Sequence, residues 1–199
     1  MDANDPINRA LVMIAQAAEA SDAVWLVGGS TGLMLRGLQL NKRPNDLDLY
    51  ADEEDALKLH ELLLPFSVDA QQVSVTGIYR SVLSHYSIEG ISVELVGGFE
   101  IKSGAGRYGV EVREVLAPYK DMIEMGGYEI GIVPLAHEMW FNLLRGRDDR
   151  VHLIAEELSK QSELHRDAFI HIEARNELNA ELIGMIHNWL GHEETRSMS

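Results

Sequence analysis

The sequence predicts an α+β protein: a mixed β-sheet flanked by helices, followed by a helical C-terminal part. Three observations carry this expectation. Short apolar strands alternate with amphipathic helices up to Leu64. A β-rich stretch with alternating side chains and glycine punctuation then runs to Val133. From Pro134 onward helical spacing replaces it with few breakers. The boundary expected near Val133 divides the chain into residues 1–133 and 134–199.

The elements follow in order. Pro6 to Ala20 reads as a helix, with Asp5 as N-cap and Pro6 at the first position, where a missing N–H costs nothing. Ala23 to Val27 is a buried strand, and Gly28-Gly29 turns it into a helix over Ser30 to Leu38. Asp46 to Tyr50 is a strand. Glu53 to Leu64 is a helix capped by Asp52, with Leu57, Leu59, Leu62 and Leu63 as its apolar stripe. Val68 to Val75 and Tyr79 to Ile88 are strands, Glu89-Gly90 is a turn, and Ile91 to Val96 is the returning strand. The glycine-rich Gly97 to Gly109 reads as a loop, and Val110 to Val115 and Tyr128 to Val133 as strands. Pro134 to Leu144, Asp149 to Lys160 and Leu164 to Leu190 read as helices, with a polar tail after Gly191.

Length and composition bound the function. At 199 residues, 46% hydrophobic and 25% charged, the chain can bury a sizeable core. Against 17 Lys and Arg stand 32 Asp and Glu, a formal net charge of −15. That balance argues against a broad surface for duplex nucleic acid, which needs a basic footprint, and leaves room for a local nucleotide pocket. The absence of cysteine removes disulfides and thiolate zinc sites and fits a cytoplasmic protein. The N-terminus has no basic n-region, and no apolar run is long enough to cross a membrane, so no membrane association is expected.

The chemistry is concentrated in Val24 to Tyr50. Alternate residues of a strand share a face, so Asp46 and Asp48 point one way while Leu47 and Leu49 point to the core. The two carboxylates lie about 7 Å apart along the strand. Ile91 to Val96 alternates in the same way and turns Glu94 from the core; if it neighbours the Asp46 strand, Glu94 joins the aspartates. Three carboxylates on adjacent strands make a hard oxygen site suited to Mg²⁺, which takes one or two carboxylates together with substrate phosphates. The Gly28-Gly29-Ser30 turn leaves backbone N–H groups at a helix start, where anions, phosphate above all, are favoured. Lys42 and Arg43, just before Asp46, are within reach of a triphosphate or form a basic loop. His85 and Arg80 lie on opposite faces of their strand; each lines the cleft or sits at the surface.

Gly28-Gly29-Ser30, Asp46-Leu47-Asp48 and Glu94, in this order of elements, resemble the nucleotidyltransferase superfamily with the DNA polymerase β-type catalytic core. The resemblance covers about Val24 to Val96, with a looser likeness through the helix after Pro134, and is nearest to small bacterial members: aminoglycoside and lincosamide nucleotidyltransferases, and those of toxin–antitoxin and abortive-infection systems. It implies a two-metal site in which Asp46 and Asp48 bind Mg²⁺ and the Gly28–Ser30 turn holds an NTP. It implies Glu94 as third carboxylate, either metal ligand or base for the acceptor hydroxyl. The implied reaction moves a nucleoside monophosphate to a hydroxyl and releases pyrophosphate; a small molecule, a protein side chain and an RNA end are all open as acceptor. The chain departs from the family pattern in carrying Glu94 where Asp is commoner. It also has Asn142 and no lysine on the helix after Pro134, and Arg147-Asp148-Asp149-Arg150 in place of an Arg-x-Lys-Asp-like run. These departures motivate an alternative: a catalytically inactive binding module, an antitoxin-like partner of a second protein.

Overall fold

The computed structural model describes residues 4–191. Helix α1 spans Pro6–Ala18, and the Asp5 carboxylate caps it by accepting from Ile7 N at 2.9 Å. Strand β1 (Trp25–Gly28) leads directly into α2 (Gly29–Leu35). Strand β2 (Asp46–Ala51) and helix α3 (Glu53–Leu63) follow. Then come β3 (Gln72–Thr76), β4 (Tyr79–Ile88), β5 (Ile91–Ser103) and β6 (Gly106–Gly109). After a short helical passage come β7 (Asp121–Met125) and β8 (Tyr128–Ile132). The remaining elements are α4 (Leu135–Leu144), α5 (Asp148–Ser159), α6 (Ser162–Ala174), the two-residue β9 (Glu177–Leu178) and α7 (Ala180–Trp189).

Two compact units result. Among the described residues, the first comprises 4–100 and 109–133, the second 101–108 and 134–191. In the first, strands run in the order β3-β4-β5-β2-β1-β8-β7. The sheet is mixed: β2 is antiparallel to β1 and parallel to β5, and β1 is parallel to β8. The expected α+β architecture, a mixed sheet flanked by helices, is present. One sheet face is closed by α1 and α3. Val27, Leu47, Leu49, Val93 and Leu95 meet Ile7, Leu11 and Ile14 of α1 and Ala56, Leu59 and Leu63 of α3. Each such valine, leucine or isoleucine, fully withdrawn from water, contributes about 1.5–3 kcal/mol. Of the expected α3 stripe, Leu59 and Leu63 are buried and Leu57 is 52% exposed.

In the second unit α4 packs against α5 and α6, and β6 pairs with β9. Trp140, Ile154, Leu158, Phe169, Ile172 and Ile186 are buried there. Tyr108 and His137 are buried together, with Tyr108 Oη 2.7 Å from His137 Nδ1.

Five expectations are corrected. Gly97–Gly109 is not a loop: β5 continues through Ser103, and Gly106–Gly109 is β6. The glycines serve packing. A Cβ on Gly97 would lie 2.4 Å from Ala56 Cβ, so glycine lets α3 sit flush on the strand. Val110–Val115 is not a strand, because Val112–Leu116 forms a π-helical turn running into a 3-10 turn at Ala117–Tyr119. Its first N–H groups, Val112 and Arg113, donate to the Asp52 carboxylate at 2.7 and 2.9 Å. Asp52 therefore occupies the N-cap position of α3 without making the side-chain cap expected of it. The Leu164–Leu190 helix is two helices: Asn176 Nδ2 donates to Ile172 O at the end of α6, and the Asn179 carboxamide caps α7. The third expected strand begins only at Gln72 rather than Val68, and β7 joins β8 through Gly126–Gly127, both at positive φ.

Candidate active site

The site is assembled on the sheet face turned away from α1 and α3. On β2, Leu47 and Leu49 enter the core, which leaves Asp46 exposed and Asp48 half-buried on the opposite face. Across the parallel β2–β5 pair, Asp48 stands directly abreast of Glu94, and Asp46 of Ser92. Across the antiparallel β1–β2 pair, Asp48 stands abreast of Gly28. Residues in register share a face, so Glu94, Asp48 and the glycine turn form one row across three strands.

The turn is built around Asp48. Gly29 has φ +61°, and a Cβ there would lie 1.9 Å from Asp48 Oδ2. Only glycine tolerates both the left-handed backbone and that approach. The α2 helix is seven residues long and has no side-chain cap at Gly28. Thr31, two residues after Gly29, is buried and donates its hydroxyl to the Asp46 carbonyl at 2.6 Å, tying α2 to the start of β2. Sequence reasoning missed Thr31, although its place inside the strand–GGS–helix passage was a usable signal. Gly28 is buried, and Gly29 and Ser30 are half-buried.

The basic residues expected near the phosphates divide. Lys42 is exposed in the loop before β2. Arg43 pairs with the Asp5 carboxylate, the same group that caps α1. Arg80 pairs with Glu53 at 3.6 Å. His85 is placed in the row. The two-residue Glu89–Gly90 turn joins β4 to β5, and counting back from Ile88 opposite Ile91 sets His85 beside Glu94, with Nε2 3.7 Å from Oε2. Asp69, a residue the sequence did not single out, accepts from both the His85 backbone N–H (2.8 Å) and Nδ1 (2.5 Å). Burial pushes the Asp69 carboxyl up, but these His85 hydrogen bonds outweigh it and hold the group below the ordinary carboxylate range.

Among the described residues, no three His, Asp or Glu side chains converge closely enough to hold a metal ion unaided. Asp46 and Asp48 remain a two-carboxylate oxygen set beside a backbone turn, which fits a magnesium ion that completes its shell with water and phosphate oxygens. Among these residues, too, no helix is long and apolar enough to cross a membrane.

No protein-family profile and no curated protein sequence matches the chain. Solved structures do. A candidate nucleotidyltransferase from Thermotoga maritima superposes with a TM-score of 0.61 at 24% identity, covering 77% of this chain and 92% of the other. The chain has a nucleotidyltransferase-like fold. The solution structure of the antibiotic-resistance factor ANT(2'')-Ia also superposes, with a TM-score of 0.51 at 12% identity, covering 94% of this chain and 99% of that one. A lincosamide antibiotic adenylyltransferase, solved with lincomycin bound, matches at a TM-score of 0.42 and 11% identity over 73% of this chain and 94% of that one. At these identities the likeness concerns the fold.

Proposed function

We propose that the protein is a Mg²⁺-dependent nucleotidyltransferase that moves a nucleoside monophosphate from an NTP to an acceptor hydroxyl. The observation that carries this reading is the single row of Gly28, Asp48 and Glu94 across β1, β2 and β5, with Gly29 packed against the Asp48 carboxylate. In this reading residues 1–133 supply the transfer chemistry and the helical part after Pro134 binds the acceptor. Asp46 and Asp48 hold the metal, which supplies charge neutralisation for the phosphates. The backbone N–H groups of Gly28, Gly29 and Ser30 bind the triphosphate, with Lys42 reaching it from the preceding loop. Glu94 accepts the proton of the acceptor hydroxyl as its oxygen bonds to the α-phosphorus. The bond from that phosphorus to the bridging oxygen breaks, and pyrophosphate leaves with the electron pair. The cysteine-free sequence suits a reducing compartment such as the cytoplasm.

The test is label transfer from α-labelled ATP and GTP, with pyrophosphate release read in parallel. Hydroxylated small molecules, proteins and RNA 3′ ends serve as acceptors. Turnover should require Mg²⁺ and fall to background in Asp48→Asn, with the thermal unfolding profile unchanged. Turnover retained in that variant contradicts the assignment.

A second reading is a non-catalytic module with the same fold, bound to a partner protein. It is favoured by the engagement of Arg43 with Asp5, which leaves one fewer cation for a triphosphate. Metal-dependent turnover excludes it.

A further inference from the structure

The row that carries the proposed chemistry does not end at Glu94. It extends one strand further, to His85 on β4, and is closed by Asp69 in the segment before β3. Asp69 grips His85 at two points, the backbone N–H and Nδ1, so both the strand position and the ring orientation are fixed by one carboxylate. A carboxylate partner makes Nδ1 the donor and turns Nε2 outward, toward Glu94 Oε2 at 3.7 Å, an ion-pair contact that attracts the carboxylate when Nε2 also carries a proton. The sheet order β4-β5-β2 puts His85 and Asp48 on opposite sides of Glu94. A contact with His85 therefore draws the Glu94 carboxylate away from the Asp48 strand. Glutamate, one methylene longer than aspartate, has the reach to make that contact while its backbone stays in register with Asp48.

We propose that His85, locked by Asp69, is a positioning residue that holds the Glu94 carboxylate toward β4 and off the Asp48 strand, as proton acceptor and not as metal ligand. This rests on the transfer reading above. It accounts for the glutamate at this position and gives the Asp69–His85 pair a task that sheet pairing does not require. The segment before β3 already pairs with β4 through Val68 N to His85 O at 3.0 Å and the Ser67↔Tyr86 bridge, and that backbone pairing has no need of the Asp69 contact with the ring Nδ1.

Two measurements test it together. Pyrophosphate release from ATP with Mg²⁺ and the hydroxyl acceptor that takes up label is followed in the wild type and in His85→Ala, His85→Gln, Asp69→Asn, Glu94→Gln and the His85→Ala/Glu94→Gln double variant. A misplaced base slows turnover without weakening nucleotide binding. In His85→Ala and Asp69→Asn, kcat should therefore drop by about tenfold to about a hundredfold, while KM for ATP stays within about twofold. His85→Gln, which keeps a polar group near the Nε2 position, should recover part of the loss. His85→Ala should cost nothing further once Glu94 is glutamine. Independent, additive losses in the double variant overturn the proposal, as does an equal rise in KM with kcat unchanged. The second measurement is the ¹⁵N chemical shift of the His85 ring, with and without Glu94→Gln and Asp69→Asn. Both substitutions should move it. An Nε2 shift indifferent to Glu94→Gln overturns the proposal whatever the turnover. If the wild type releases no pyrophosphate, the transfer reading falls, and the ring shifts alone decide whether His85 holds Glu94.

Discussion

Gly29 is the residue whose replacement has the most specific consequence. Its φ of +61° penalises any side chain, and a Cβ would meet Asp48 Oδ2 at 1.9 Å. Gly29→Ala should cost about 1–2 kcal/mol for the left-handed backbone alone. It should also push the Asp48 carboxylate out of place, so metal-dependent nucleotide binding is lost in a protein that still folds. Denaturant unfolding and calorimetric titration of the same preparation check both halves; full binding with unchanged stability contradicts the geometry. At this scale the sequence was informative where the rule is periodic. Strand parity alone separated Asp46 and Asp48 from Leu47 and Leu49, and Glu94 from Val93 and Leu95. It failed where a contact joins residues with no shared period. Asp69 reaches His85 across 16 positions of chain, and Arg43 reaches back 38 positions to Asp5. Neither distance in sequence carries a signal.

Among the elements, glycine was the main source of error. The run from Gly97 to Gly109 has the composition of a loop, yet Gly97 is a strand residue kept small by a helix above it. Gly97→Ala should destabilise by about 1–3 kcal/mol through overpacking against Ala56. Adding Ala56→Gly should return part of that loss, and denaturant midpoints of the wild type and the two variants measure it. A neutral Gly97→Ala would mean that α3 can move away from β5 without cost. The long helix expected over Leu164–Leu190 divides because Asn179 offers its carboxamide to Glu181 N and Leu182 N. The local preference of asparagine for caps outcompeted continued helical periodicity. β7 was missed because Asp121-Met122-Ile123-Glu124-Met125 has no clean alternation, and only its pairing with β8 makes it a strand.

For the whole molecule, acid should be the sensitive direction. His137 is fully buried beside Tyr108, and burial lowers its pKa from 6.5 to about 3. Unfolded, it takes up a proton near pH 6.5; folded, it resists until about pH 3. The unfolded state therefore holds more protons in that window, and the His137 contribution is complete above pH 6.5 and drains away as pH falls toward 3. The carboxyl of Asp69, held low by His85, loses its contribution in the same direction. Since the net charge of −15 also changes over this range, the His137 part is isolated by difference. The loss of stability between pH 7 and pH 5 should be smaller in His137→Phe than in the wild type, and equal losses would place the imidazole in contact with water.

The central claim is that the row from the glycine turn to Glu94 binds a nucleotide through a divalent metal. It is tested most directly by calorimetric titration of the protein with non-hydrolysable ATP and GTP analogues. Titrations with and without Mg²⁺ are run for the wild type and for Asp46→Asn/Asp48→Asn. Binding that needs Mg²⁺ and disappears in the double variant is the predicted result. Binding indifferent to Mg²⁺ and to both substitutions, or no binding at all, would contradict it and leave the partner-protein reading in its place.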